Sequence, residues 1–120
     1  MRKWLAILTI AALLSSATAQ DMDPPPELAY MAAMPADLQR QSWCAAIFDR
    51  HSSDYHLGHE LYYALAQRLY GNVEIWFRER GVTEKQILFA QGYYYELTRG
   101  LDEAAFDKTL MDCSGEMGAR

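Results

Sequence analysis

The sequence predicts an all-α protein, a small antiparallel bundle of about four helices with one disulfide between the first and the last helix. Apolar residues repeat at helical spacing over most of residues 36–113. No proline occurs after Pro35, so the strongest helix breaker is missing from the rest of the chain. No stretch alternates apolar and polar residues for long, and no Asn-Gly or Asp-Gly hairpin turn occurs.

The composition bounds the size and the class of the protein. A chain of 120 residues allows one domain at most. With 51% hydrophobic and 12% aromatic residues, it can build a core rather than remain disordered. A formal net charge of −5 is the wrong sign for neutralising phosphates, so we expect no nucleic-acid partner.

Residues 1–19 predict a secretory signal peptide. Two basic residues precede an apolar run over residues 4–14, and small residues follow, so cleavage is expected between Ala19 and Gln20. A membrane anchor is the alternative, but the apolar run is shorter than the roughly 20 residues that a spanning helix needs. We therefore expect a periplasmic or secreted bacterial protein that meets the membrane only through the signal peptide during export.

Cleavage would leave three regions. Residues 20–35 hold all four prolines and predict a flexible, proline-rich leader. Residues 36–113 form the predicted helical domain, and residues 114–120, with two glycines and no apolar stripe, predict a flexible tail. Loss of the two basic residues of the signal peptide would change the formal charge from −5 to −7.

The first helix is predicted over residues 36–50. Pro35 suits the first turn of a helix, where its missing N–H is no loss. Residues 52–54 form a break and the next cap. One face carries its apolar positions and a histidine: Leu38, Cys44, Ile47, Phe48 and His51.

The second helix is predicted over residues 55–79. Gly71 and Asn72 lie in its middle and could kink or split it; a continuous, bent helix is favoured. Gly81 is the expected stop. The predicted inner stripe is Leu61, Leu65, Leu69, Val73 and Trp76.

The third and fourth helices are predicted from their caps. Thr83 and Gln86 have the spacing of a capping box, in which each side chain bonds the other's backbone N–H. Gly100 ends this helix, and Asp102 caps the next. The inner stripe of the third helix is Ile87, Ala90, Tyr94, Leu97 and Leu101, and that of the fourth is Phe106, Leu110 and Cys113.

Cys44 and Cys113 are the only cysteines of the chain. In an exported protein an even number of cysteines usually pairs. Both lie on predicted inner faces, one on the first helix and one on the last. A redox-active pair or two metal thiolates are the alternatives, but no Cys-x-x-Cys spacing supports either, so we expect a structural disulfide.

The three histidines of the chain, His51, His56 and His59, fall within nine residues. His56 and His59 share a helix face, and His51 could fold back across residues 52–54 to join them. With Glu60, the three histidines could hold Zn²⁺ or Cu²⁺ or respond to pH. The alternative is a solvated helix start whose histidines cap the helix or pair with acids.

The tyrosines are more numerous than two narrow helical stripes can bury. Neighbouring tyrosines cannot all face one partner helix, so an interaction surface is predicted. The alternative is wide burial with hydroxyl groups at the rim of the bundle. The partner could be another protein or a second copy of this chain. The predicted surface comprises Tyr62, Tyr63, Tyr70, Tyr93 and Tyr95.

No catalytic motif stands out in the sequence. Glu60, Glu74 and Glu96 could meet inside a bundle, but no Glu-x-x-His pair accompanies them, as a di-metal carboxylate site requires. The favoured function is a non-enzymatic exported protein that acts by protein–protein interaction. The alternatives are a metal-binding or pH-responsive protein and a small-molecule or lipid carrier.

Overall fold

The computed structural model describes residues 26–54 and 59–118. Within these residues it contains helices joined by short irregular segments. The predicted all-α class and the disulfide-linked first and last helices are confirmed, whereas the antiparallel arrangement stays a prediction. The signal peptide and its cleavage site lie outside the described residues. In chain order, the elements are a 3-10 helix Pro26–Met31, α1 Ala36–Asp54, α2 His59–Glu79, α3 Glu84–Thr98, α4 Glu103–Cys113 and a π-helical turn Ser114–Gly118.

Helix α1 lies at the centre of the bundle. Residues 42–48 are all buried, so the middle of α1 is covered on every side rather than on the one face that its apolar stripe predicts. It contacts α2, α3 and α4, whereas α2 and α3 hardly contact each other. Ala45 and Ala46 are fully buried, and their small side chains fit a helix that is surrounded by neighbours.

The inner face of α2 differs from its predicted stripe at one end. Leu61 is 60% exposed. Steps of four residues turn a position by about 40° around the helix each time, so a stripe built from such steps leaves the core within a few turns. Helix α2 runs through Gly71 without interruption and ends at Glu79; Gly81 follows the end of the helix, and its φ of 74° lies in the left-handed region that glycine tolerates. The buried residues of α2 are Leu65, Ala66, Leu69, Tyr70, Val73 and Phe77.

The predicted N-caps of α3 and α4 are present, whereas residues 52–54, predicted to be a break and a cap, continue α1 to its end at Asp54. The backbone N–H of Gln86 donates to the Thr83 hydroxyl at 3.2 Å, and the Gln86 side chain accepts from the Thr83 N–H at 3.0 Å, so the capping box of α3 is complete. Asp102 accepts from the backbone N–H of Ala105 at 2.8 Å and caps α4.

Loss of the α3 cap should be measurable. We expect Thr83→Ala to lower the free energy of unfolding by about 1 kcal/mol, because an N–H in the first turn of α3 loses its acceptor. Thr83→Ser keeps the hydroxyl and serves as the control. Urea unfolding followed by circular dichroism measures both. Equal midpoints for Thr83→Ala and wild type would contradict this role.

The segments on either side of residues 36–113 pack onto the bundle. Met31 and Met34 are buried, although they belong to the predicted flexible leader. Their apolar side chains supply the driving force that a purely polar leader would lack. At the other end, Arg40 donates two hydrogen bonds to the carboxylate of Glu116, at 2.9 and 2.7 Å, and so holds the π-helical turn against α1. None of the described helices is long and apolar enough to span a membrane.

Candidate functional site

An open groove of about 670 Å³ lies between α2 and α3. It is lined by Asp49 of α1, by residues 67, 70 and 74 of α2, and by residues between 88 and 96 of α3. It exists because α2 and α3 pack on α1 rather than on each other. Its volume is within the range of ligand-binding clefts, and we call it the α2–α3 groove.

The wall from α2 is polar and aromatic. Gln67, Tyr70 and Glu74 line the α2–α3 groove at spacings of three and four residues, which place them on one helix face. Tyr63 lies one turn earlier on that face and is 48% exposed. Glu74 accepts a hydrogen bond from the side-chain amide of Gln91 on α3 at 3.0 Å, which links the two walls.

The wall from α3 is apolar at its rim. The adjacent residues Leu88 and Phe89 line the groove and are 59% and 57% exposed. Two such neighbouring side chains form a small apolar patch, which is more informative than a single exposed residue. Gly92 follows one turn later and adds no side chain; a Cβ atom built there would meet nothing within 4 Å. Gly92 therefore keeps the middle of this wall open.

The Asp49 carboxylate lies on the α1 side of the groove. The hydroxyl of Tyr70 donates a hydrogen bond to Asp49 Oδ2 at 3.1 Å. Burial, and then the charge of Asp49, raise the pKa of Tyr70 well above its ordinary value, so Tyr70 remains a neutral donor. Among the described residues, no lysine or arginine forms an ion pair with Asp49.

The lining is acidic as a whole. Besides Asp49, it contains Glu74 and Glu96 and no lysine or arginine. Arg78 approaches Glu74 at 3.6 Å, and Arg99 approaches Glu96 at 3.8 Å. Both arginines are more than half exposed, and ion pairs of this kind compensate little charge. The α2–α3 groove thus combines negative charge with tyrosine rings and an apolar rim.

The five tyrosines of the predicted interaction surface do not all lie in one place in the structure. Tyr70, Tyr93 and Tyr95 line the α2–α3 groove, and Tyr63 shares the α2 face that enters it. Tyr70 is largely buried, so it contributes its hydroxyl rather than an exposed ring. Tyr62 lies elsewhere, with its ring centre 5.7 Å from that of Phe48.

Tyr94, between the two α3 tyrosines of the groove, belongs to the core. It is buried on the face of α3 that packs inward. Burial, with a smaller contribution from Tyr93, raises the pKa of Tyr94 to about 12. The run of three tyrosines therefore places one ring in the core, whereas the two flanking tyrosines, about 100° to either side of it on the helix, both line the groove.

His51 is packed among aromatic rings. Its ring centre lies 4.4 Å from that of Tyr62, edge-on, and 6.5 Å from that of Phe106. Burial lowers the pKa of His51, although the charges of Asp54 and Asp107 oppose this shift, and so favours the neutral imidazole.

The structure describes only some residues of the predicted metal site. His56 and the side chain of His59 lie outside the described residues, and Glu60 is exposed. Within the part that the structure describes, no group of three or more His, Cys, Asp or Glu side chains could hold a metal ion. A Zn²⁺ or Cu²⁺ site at these residues stays a prediction.

Within the described residues, a second and much smaller cavity lies beneath the α2–α3 groove, between α1, α2 and α3, and has a volume of about 10 Å³. That space would hold one water molecule at most.

Sequence reasoning missed Asp49, Gln67 and Leu88 as groove residues. A usable signal was present on α3, where Leu88 and Phe89 fall between the inner positions Ile87 and Ala90 and so cannot be buried by the same neighbour. For Asp49 there was none, because its role depends on how two other helices cross α1.

Comparisons of this chain with models of protein families, with curated proteins and with solved structures gave no significant match. The proposed function below therefore rests on the geometry and the chemistry of the α2–α3 groove.

Proposed function

We propose that this chain is an exported, non-enzymatic protein that binds a partner protein through the α2–α3 groove. The observation that carries the proposal is the exposure of Leu88 and Phe89 at the rim of an open groove that also presents tyrosines and carboxylates. Aromatic side chains are enriched in the buried centres of protein interfaces, where they contribute much of the binding free energy.

The disulfide supports the exported location within this proposal. Cys44 and Cys113 are joined and fully buried. Structural disulfides persist in oxidising compartments such as the periplasm and the cell exterior. Together with the predicted signal peptide over residues 1–19, this favours a periplasmic or secreted protein.

Site-directed photo-crosslinking in the cells that make the protein tests the proposal. A benzophenone amino acid replaces Phe89 at the groove, or Met111, which is 74% exposed on α4, as the control. We expect a covalent adduct at position 89 and none at position 111, and mass spectrometry of the adduct identifies the partner. A Gly92→Leu change in the same protein should remove the adduct, because the new side chain projects into the open wall.

The outcomes separate the candidate functions. Equal adducts at positions 89 and 111, or no adduct at position 89, would contradict binding through the α2–α3 groove. An adduct of twice the monomer mass would identify a second copy of the chain as the occupant, and sedimentation of the purified protein would then show the dimer.

A further inference from the structure

We infer that the segment bound in the α2–α3 groove is a basic, amphipathic segment of the partner protein. A lysine or arginine of that segment would lie beside Asp49, with its apolar residues against Leu88 and Phe89. The inference rests on the proposed function and adds the chemical class of the partner.

The Asp49 carboxylate places a negative charge at the floor of the groove. Asp49 has a neutral donor, Tyr70, as its hydrogen-bond partner, and no ion-pair partner in the described part of the chain. An apolar segment that covers the groove would remove water from this carboxylate. An unpaired carboxylate taken from water is costly, whereas a cation from the partner would compensate its charge. Covering the groove therefore favours a partner that brings a positive charge.

Tyrosine rings line the groove together with this carboxylate. Tyr93 and Tyr95 line the same space as Asp49, and a cation near a tyrosine ring is attracted by the ring's π electrons. The protein already uses this contact elsewhere, since the guanidinium of Arg50 lies 4.3 Å from the ring centre of Phe106. A basic side chain would thus meet a carboxylate and aromatic rings in one place.

The negative charge of the groove disfavours two other occupants, the predicted leader and a second copy of this chain. The predicted leader, residues 20–35, carries three acidic residues, Asp21, Asp23 and Glu27, and no lysine or arginine, so the acidic groove would repel it. A second copy carries a net charge of −5, or −7 after the predicted cleavage, and long-range repulsion would oppose its approach. A partner of opposite charge is attracted at the same distances.

Two labelled peptides of equal length test this inference by fluorescence anisotropy at physiological salt. Both carry leucine and tryptophan on one helical face; the other face carries lysine and arginine in the first peptide and glutamate in the second. We expect the wild-type protein to bind the basic peptide at least about tenfold more tightly, as for other complementary charge pairs in interfaces. A third peptide, basic but with serine in place of leucine and tryptophan, should bind more weakly than the first.

Matched variants locate the charge that matters. Asp49→Asn removes the charge but keeps an oxygen that accepts from Tyr70, and we expect it to weaken binding of the basic peptide about tenfold. Glu103→Gln removes the same charge from the first turn of α4, away from the groove, and should leave the affinity nearly unchanged. Gly92→Leu should block the peptide, whereas Gly71→Leu, at a second open helical glycine outside the lining, should not.

Several results would overturn the inference. These are equal affinity for both peptides, binding of neither, or an equal loss in Asp49→Asn and Glu103→Gln, which would indicate general attraction to an acidic protein. An adduct at position 89 in cells together with any of these results would leave the proposed function in place and reject only the basic partner. Absence of that adduct would reject the proposed function itself, whatever the peptides do.

Discussion

Replacing Cys44 and Cys113 together by alanine is expected to lower the free energy of unfolding by about 4 kcal/mol. The disulfide joins residues separated by 69 positions, so it closes most of the helical domain into one loop. Opening that loop gives the unfolded chain more conformational freedom and so stabilises it relative to the native state. The loss is comparable with the whole stability of many domains of this size.

The position of the disulfide adds a second reason for a large effect. Both sulfurs are fully buried between α1 and α4, so their removal also deletes packing at the centre of the bundle. Urea unfolding of the double variant, and of the wild type in reducing agent, measures the two states. Their midpoints should both fall well below that of the oxidised protein. A variant with the midpoint of the oxidised wild type would contradict the stabilising role.

Binding by the folded fraction of the disulfide variant should be unaffected. The lining of the α2–α3 groove comes from α1, α2 and α3, and α4 contributes nothing to it. The basic peptide should therefore bind the folded double variant with the affinity of the wild type. A loss of affinity in the folded variant would show that α4 controls the groove.

The local features of this fold were predictable from the sequence because each depends on a few neighbouring residues. Thr83 and Gln86 satisfy each other's backbone N–H groups whatever lies around them, and Asp102 accepts from the backbone N–H of Ala105 at the start of α4. The pairing of Cys44 with Cys113 followed from two cysteines on predicted inner faces in a chain with a predicted export signal. The caps depend on residues within one turn of helix, and two cysteines allow only one pairing.

Features that depend on several helices were predicted less well. One buried face was predicted for α1, although residues 43–48 are all apolar, and residues 42–48 are buried because three other helices pack around them. In the same way, the sequence of α1 alone indicates a surface position for Asp49, and only the structure shows that Tyr70 of α2 donates a hydrogen bond to it. The periodicity of apolar residues indicates which face of a single helix is buried. Which residues that face contacts depends on the number of neighbouring helices and on their crossing angles.

A pair of phenylalanine-to-alanine changes separates the core of the protein from its proposed binding groove. Phe48 on α1 is fully buried and is among the largest buried side chains of the described residues. We expect Phe48→Ala to lower the free energy of unfolding by about 3–5 kcal/mol, because it removes a large buried ring and leaves a cavity. Phe89→Ala deletes the same atoms from a side chain that is 57% exposed and should cost about 0.5 kcal/mol or less.

Binding should show the opposite order. Phe89 contributes rim surface to the α2–α3 groove, so Phe89→Ala should weaken the basic peptide by about tenfold or more, as for aromatic residues at interface centres. Phe48 does not line the groove, so the folded fraction of Phe48→Ala should keep the wild-type affinity. Urea unfolding and peptide anisotropy on both variants measure the two effects. If Phe89→Ala were as destabilising as Phe48→Ala, or bound the peptide like the wild type, the rim would be part of the core and the groove would lose its apolar anchor.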